Sequence, residues 1–284
     1  MTRIALLSNP ASGQGDAERA AELLGAAGAA VETFAIGEAE PAAASGAERL
    51  AVAGGDGSIG PAAAAAGAAG IPLAVIPSGT ANDFASHVGI VDVEQACELA
   101  ANGQRVEQME LSRVGERPFV NVTGAGLAPA AAEEAAGLKE KLGALAYPVG
   151  AVGAGLNMEP IHCALRADGE LVFDGDAWQV SIASSGAFGG GSTLIADSSD
   201  GLLDAVVVER SSRARLVKVA YGLTIGALED QAGVISARAR EIALRIDPDE
   251  LLNVDGELIA AGTVAADGIV RLTAERPGFE LVVG

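Results

Sequence analysis

Aromatic residues are scarce in this chain, at 3% of its 284 residues, although half of all residues are hydrophobic. Alanine, valine and leucine must therefore build the interior, and the length suffices for one large or two modest domains with a proper core. Only two cysteines occur, Cys97 and Cys163. They match no metal or redox spacing and read as buried, reduced thiols, which suits a cytoplasmic protein. Basic residues are also few: 18 Lys and Arg stand against 38 Asp and Glu, a formal charge of −20. That balance argues against nucleic acid, whose phosphates would be repelled, and against passive adsorption to an anionic membrane. The two histidines, His87 and His162, have no acid or nucleophile at a recognisable spacing and read as structural. A long apolar helix is missing too. The uncharged stretch Gly57–Asn82 is interrupted by Pro61, Pro72 and Pro77, and alanine is only weakly lipophilic. The apolar run Ile4-Ala5-Leu6-Leu7 behind Met1-Thr2-Arg3 is too short for a signal peptide. A soluble protein is expected.

What the chain has instead is glycine at two telling places. Gly54-Gly55-Asp56-Gly57-Ser58 follows the strand-forming run Leu50–Ala53, and Pro77-Ser78-Gly79-Thr80-Ala81-Asn82-Asp83-Phe84 follows Leu73–Ile76. Glycine at the carboxyl end of a strand lets backbone N–H groups approach an anion with no Cβ in the way. In an open α/β sheet, that edge is where ligands bind. Asp56 sits inside the first loop, where a lone carboxylate would repel a phosphate. A divalent cation between the two resolves the conflict, so the acid is expected to serve the cation and not the packing. Together the loops read as a nucleotide phosphate site.

Strands and helices alternate through the first third. Strands are expected at Arg3–Ser8, Val31–Ile36, Leu50–Ala53 and Ile71–Ile76, and helices at Gly15–Ala27, after Pro41, at Ala62–Ala69 and at Val93–Asn102. Such alternation indicates a parallel sheet covered on both faces. After about residue 112, strand-like pieces dominate: Pro118–Val122, Cys163–Arg166, Leu171–Phe173, Gln179–Ala183, Ala205–Val208, Ile242–Ile246, Leu251–Val254 and Ile269–Leu272. Asp168-Gly169 and Asp267-Gly268 are hairpin turns, and two helices interrupt near Glu133–Gly153 and Arg213–Leu228. The expected organisation is an α/β domain over 1–112, completed by 275–284 through the closing strand Phe279–Val283, and a β-rich domain over 113–274.

Six segments in register carry a resemblance: Asn9-Pro10-Ala11-Ser12-Gly13, Gly54-Gly55-Asp56-Gly57-Ser58, Pro77–Ala85, Phe188-Gly189-Gly190-Gly191, Asp200-Gly201-Leu202-Leu203-Asp204 and Asp255-Gly256-Glu257. In their order and nearly full-length spread the chain resembles the diacylglycerol kinase catalytic-domain family, bacterial soluble lipid kinases related to sphingosine kinases. The resemblance implies an NAD-kinase/phosphofructokinase-like α/β domain followed by a β-sandwich that takes the lipid. It implies ATP as donor, lined by Asn9, Pro10, Ser12 and Gly13 and held by Gly54, Gly55, Asp56, Gly57, Ser58, Gly79 and Thr80. Ser58 stands where threonine is usual.

By the same resemblance Glu257 is the proton acceptor for the lipid hydroxyl, with Asp255 and Asp56 sharing the active site. A structural Mg²⁺ is implied on Asp197, Asp200 and the carbonyl of Leu202, separate from the nucleotide's own. Turns supply oxygen ligands that suit such a hard cation. The chain departs from the family at Gly60-Pro61 (an Asn-Glu pair in many relatives), at Ala128 (an acid) and at Ser185 (an asparagine). Lys139 and Lys141 match a basic stretch common in the family, and Arg213, Arg215 and Lys218 form the remaining dense basic group, a place for transient membrane contact. The expected protein is a cytoplasmic ATP- and Mg²⁺-dependent lipid kinase that visits the membrane surface, as a homodimer if it pairs as relatives do. An NAD kinase-like enzyme and a non-enzymatic nucleotide-binding regulator remain open on the same residues.

Overall fold

The computed structural model describes residues 1–8, 14–127, 159–185, 187–188, 192–193, 200–212 and 232–284. Its first half reads β1 (Arg3–Ser8), α1 (Gln14–Ala26), β2 (Ala30–Ala35), α2 (Ala39–Ala43), β3 (Arg49–Gly54), α3 (Asp56–Ala69), β4 (Leu73–Pro77), α4 (Asp83–His87) and α5 (Val93–Asn102). β1 pairs in parallel with both β2 and β3, and β3 with β4. The order β2-β1-β3-β4 reverses direction between β1 and β3, the crevice in which an open α/β sheet receives ligands. The strand ends lie level there, with Ser8 opposite Ala53 and Gly54 opposite Pro77.

The second half is almost all strand: β5 (Arg105–Val114), β6 (Arg117–Phe119), β7 (Val122–Gly126), β8 (Ile161–Ala167), β9 (Glu170–Ala183), β10 (Ala187–Phe188), β11 (Ser192–Thr193), β12 (Leu203–Glu209), β13 (Val234–Ala239), β14 (Glu241–Arg245), β15 (Leu251–Val254), β16 (Glu257–Ala260), β17 (Ala265–Ala266) and β18 (Ile269–Val283). One hydrogen-bonded path runs β16-β15-β7-β9-β8-β14-β18-β4-β3-β1-β2, so β18 joins the antiparallel strands to the parallel ones. The molecule is thus an α/β domain with a parallel sheet plus a β-rich second domain. Each has its own buried apolar cluster, one from β1, β3, β4, α3 and α5, the other from β8, β9, β12, β14 and β15.

Several local expectations are corrected. The helix expected at Ala62–Ala69 begins at Asp56 and runs through Pro61. A proline this near the start deprives only the Gly57 carbonyl of a donor, which a helix tolerates better than a break at its centre. The pieces Leu171–Phe173 and Gln179–Ala183 are one strand, β9, and Ile269–Leu272 continues into the closing strand as β18. The strand at Pro118–Val122 is two, β6 and β7, interrupted at Val120-Asn121. β5, β13 and β16 escape the sequence pattern because their polar residues blur the alternation. The expected helices at 133–153 and 213–228 lie outside the described residues, as do Ala128, Lys139, Lys141, Arg213, Arg215 and Lys218. Cys97 and Cys163 are buried and free, and burial pushes both thiols up to about 11. Among the described residues, no helix is long and apolar enough to cross a membrane.

Helix α3 shows why alanine and glycine dominate this chain. Ala62, Ala63, Ala65 and Ala66 are buried along it, and its glycines meet backbone directly. A Cβ on Gly60 would come within 2.7 Å of the Pro118 carbonyl oxygen, and one on Gly67 within 2.3 Å of that of Gly278. Gly→Ala inside a helix ordinarily stabilises by about 0.5–1 kcal/mol. Here Gly60→Ala is expected to destabilise by about 1–3 kcal/mol through overpacking. Urea denaturation checks the sign, and a more stable variant would contradict the close approach.

Candidate active site

The two glycine loops leave β3 and β4 side by side and touch. A Cβ on Gly79 would lie 2.5 Å from the Gly55 Cα, so Gly79 must lack one, and a Cβ on Gly55 would press on the Gly79 Cα at 3.3 Å. Ser58 turns its hydroxyl back onto the Gly55 carbonyl at 2.6 Å, shaping the first loop. The second closes through Asn82, whose amide accepts from Gly79 N at 2.8 Å and donates to Gly79 O at 2.9 Å. Asn82 holds a left-handed conformation, φ 54°, that asparagine tolerates. Gly79 and Thr80 are exposed at the tip. The amino end of α3, the positive end of its dipole, opens at the first loop. Asn9, Pro10, Ser12 and Gly13 follow β1 in sequence and lie outside the described residues.

Asp56 locks the second loop to the first. Its carboxylate accepts from Phe84 N at 2.9 Å, Asp83 N at 3.1 Å and the Asn121 side-chain amide at 2.9 Å. The expectation that this acid has no part in packing is therefore corrected: it caps α4 from the neighbouring loop. Phe84 completes the anchor, buried with its ring 6.4 Å from that of Phe279. Burial, then the Asp56 charge, raise the Asp83 carboxyl above its ordinary value.

The second domain contributes the hairpin between β15 and β16. Asp255 and Gly256 both have positive φ, 47° and 90°, as a two-residue type I′ turn requires. Asp255 is not the solvated turn acid that its sequence setting allows. It is 7% exposed and accepts from Val120 N at 2.8 Å and from Asn121 N and Val122 N at 3.0 Å each. Burial pushes it up to about 7 against the pull of those amides, and the Asp56 charge adds to the rise. Glu257, two residues on, is exposed and ion-paired with Arg117 at the start of β6. The structure thus brings Asp56 and Asp255 onto one residue, Asn121, with Glu257 on the adjoining strand.

Asp200 lies at another part of the junction. Its carboxylate accepts from Leu202 N at 2.9 Å and pairs with Arg238, which also reaches Asp204 at 3.0 Å. The neighbouring Gly201 N donates to buried Glu110 at 2.8 Å. Asp197 lies outside the described residues, and among those described no group of three His, Cys, Asp or Glu gathers to hold a metal. Sequence reasoning missed Asn121, Arg117, Glu110 and Arg238. Only burial signals the first and third, and burial depends on the fold.

Two outcomes follow from this geometry. Asp56→Ala strands three N–H donors and is expected to lower stability by about 1–3 kcal/mol in urea denaturation, beyond any effect on activity. For Asp255, the folded state binds its proton more tightly than the unfolded one. That stabilisation is full below about pH 4 and is lost as pH rises through about 7. Each tenfold difference in proton affinity between the two states is on the order of 1.4 kcal/mol. Wild-type stability should therefore fall by a few kcal/mol relative to Asp255→Asn between about pH 4 and 8. Parallel pH profiles for the two proteins would refute the assignment.

Residues 3–114 match the diacylglycerol kinase catalytic domain, and residues 121–273 match the YegS C-terminal NAD kinase beta sandwich-like domain. The chain is 29% identical over 190 residues to a diacylglycerol kinase of Bacillus subtilis (strain 168), covering 65% of this chain and 62%, less than two thirds, of that one. It is 27% identical over 260 residues to a diacylglycerol kinase of Mycobacterium tuberculosis (strain CDC 1551 / Oshkosh), 84% of each. A crystal structure of a diacylglycerol kinase from Bacillus anthracis str. Sterne superposes with a TM-score of 0.76 at 20% identity, covering 100% of this chain and 97% of that one. Its likeness shows the shared fold. With both of its halves matched in this order, the chain belongs to the diacylglycerol kinase catalytic-domain family.

Proposed function

We propose that this protein is an ATP-dependent lipid kinase that transfers the γ-phosphoryl group to a lipid hydroxyl such as that of diacylglycerol. The observation that carries this reading is the contact of Gly55 with Gly79 at the carboxyl edge of the parallel sheet, beside a hairpin that presents Glu257 from the other domain. In this reading ATP lies with its phosphates on the loop amides of 54–58 and 79–80 and its nucleoside toward residues 9–13. Positioning and charge neutralisation dominate such a transfer.

In this reading a divalent cation would take the Asp83 carboxylate and share the Asp56 oxygens with their N–H donors. Asp83 and Asp56 are close enough for one charge to raise the other, and two acids beside a phosphate loop suit a hard cation. Bound there, Mg²⁺ would neutralise phosphate charge. The further Mg²⁺ implied on Asp197, Asp200 and Leu202 would have to share Asp200 with Arg238. Glu257, oriented by Arg117 and open to solvent, accepts the hydroxyl proton as the phosphoryl group arrives. The lipid is met by transient docking at a membrane surface from the cytoplasm.

A second reading, phosphorylation of NAD, draws on the NAD kinase-like character of the sandwich match. Labelled phosphate transfer from ATP, with diacylglycerol vesicles and NAD as parallel acceptors, separates the two. Label in lipid alone is expected. Label in NAD alone would replace the proposal with the second reading, and ATP binding without transfer would leave a regulator. Glu257→Gln should cut lipid turnover by about 10²-fold or more while ATP affinity stays within a few fold. A collapse of ATP binding in that variant would move Glu257 into the nucleotide site.

A further inference from the structure

We infer that Asn121 is a positioning residue that sets the glycine loops of the first domain against the acid-bearing hairpin of the second. The inference rests on the phosphoryl-transfer reading above, but its geometry stands apart from it. Asn121 occupies the two-residue gap between β6 and β7 and is 2% exposed. Its backbone N–H donates to Asp255 at 3.0 Å and its side-chain amide donates to Asp56 at 2.9 Å. Its side-chain oxygen accepts from the Ser185 hydroxyl at 2.9 Å, and its carbonyl accepts from Ser184 N at 2.9 Å and Ser185 N at 3.3 Å. One residue therefore holds the start of α3, the β15–β16 turn and the end of β9.

The chemistry requires a side-chain amide. A carboxylate only accepts, so Asp56 demands the NH₂ end of the amide, and the Ser185 hydroxyl supplies the donor for the oxygen end. Alanine offers neither, and aspartate would set one carboxylate against another. The bridge also spans surfaces already in contact: a Cβ on Gly57 would lie 3.5 Å from the Asp255 carbonyl oxygen. Glu257 leaves this turn, and its partner Arg117 begins β6, four residues before Asn121. Glu257, the proton acceptor of the proposed reaction, thus branches from a turn that Asn121 fixes.

The test uses the full chain as Asn121→Ala, Asn121→Asp and Ser185→Ala. Three quantities are measured: ATP affinity by calorimetry, turnover on diacylglycerol vesicles, and amide hydrogen exchange. Asn121→Ala is expected to keep ATP affinity within about threefold and to lower kcat by roughly 10- to 100-fold, the scale of a lost charge-assisted hydrogen bond and a displaced reacting group. Exchange should quicken at 83–84 and 255–257 while β1 and β3 keep their protection. Asn121→Asp should lose more, and Ser185→Ala less, with the same pattern. Full turnover with unchanged exchange would overturn the inference. So would a uniform rise in exchange with equal losses of affinity and turnover, because that is a merely structural role. Should the wild type label no lipid, the functional reading fails by itself, and the exchange pattern still decides for or against the bridge.

Discussion

The antiparallel ladder of β5 on β18 is the constraint on which both domains depend. Along β5, Leu111 belongs to the first apolar cluster and Val114 to the second; along β18, Leu272 belongs to the second and Phe279 to the first. The two strands cross from one core to the other together, and their register shifts once, between Glu275 and Phe279. At that irregularity Gly278 lies against β5 so closely that a Cβ would come within 2.2 Å of Leu111 N. The same glycine's carbonyl receives α3 at Gly67. Backbone packed on backbone leaves little freedom for the domains to slide, so the placement of the β15–β16 hairpin against the glycine loops follows from the ladder.

Acids buried where the domains meet refine this placement. Removing a carboxylate from water is costly unless its oxygens are bonded, and each acid here finds donors from distant parts of the chain. Asp255 takes three successive amides of 120–122. Glu110 on β5 takes Gly201 N and the Ser184 hydroxyl, which in turn accepts from Ser112. A shift of one residue in any of these strands would leave a charge unpaired, so polar satisfaction selects one register where apolar packing alone would permit others.

Two departures from the family pattern acquire reasons in this setting. Gly60 lies where a side chain would strike the Pro118 carbonyl, and Ser185 has the hydroxyl that orients the Asn121 amide. Both serve the contact between domains. Asp200 shows the opposite case, since the guanidinium of Arg238 neutralises an acid for which the sequence offers no nearby partner.

Local pattern was enough to determine the strands and all but α4 of the helices over the first hundred residues, the Asp-Gly hairpins and the two glycine loops, because periodicity and turn chemistry act over a few neighbours. α5 runs over Val93–Asn102 in both sequence and structure, capped by Asp92. The six motifs likewise marked the family, and the glycine loops the edge of the sheet where the candidate site lies. What the acids do there was decided only by tertiary structure. The donors to Asp56 come from 27, 28 and 65 residues away, and the first donor to Asp255 from 135. No window of sequence contains such pairs. Whether an aspartate in a turn faces water or a ring of amides depends on which distant strand the fold lays over it.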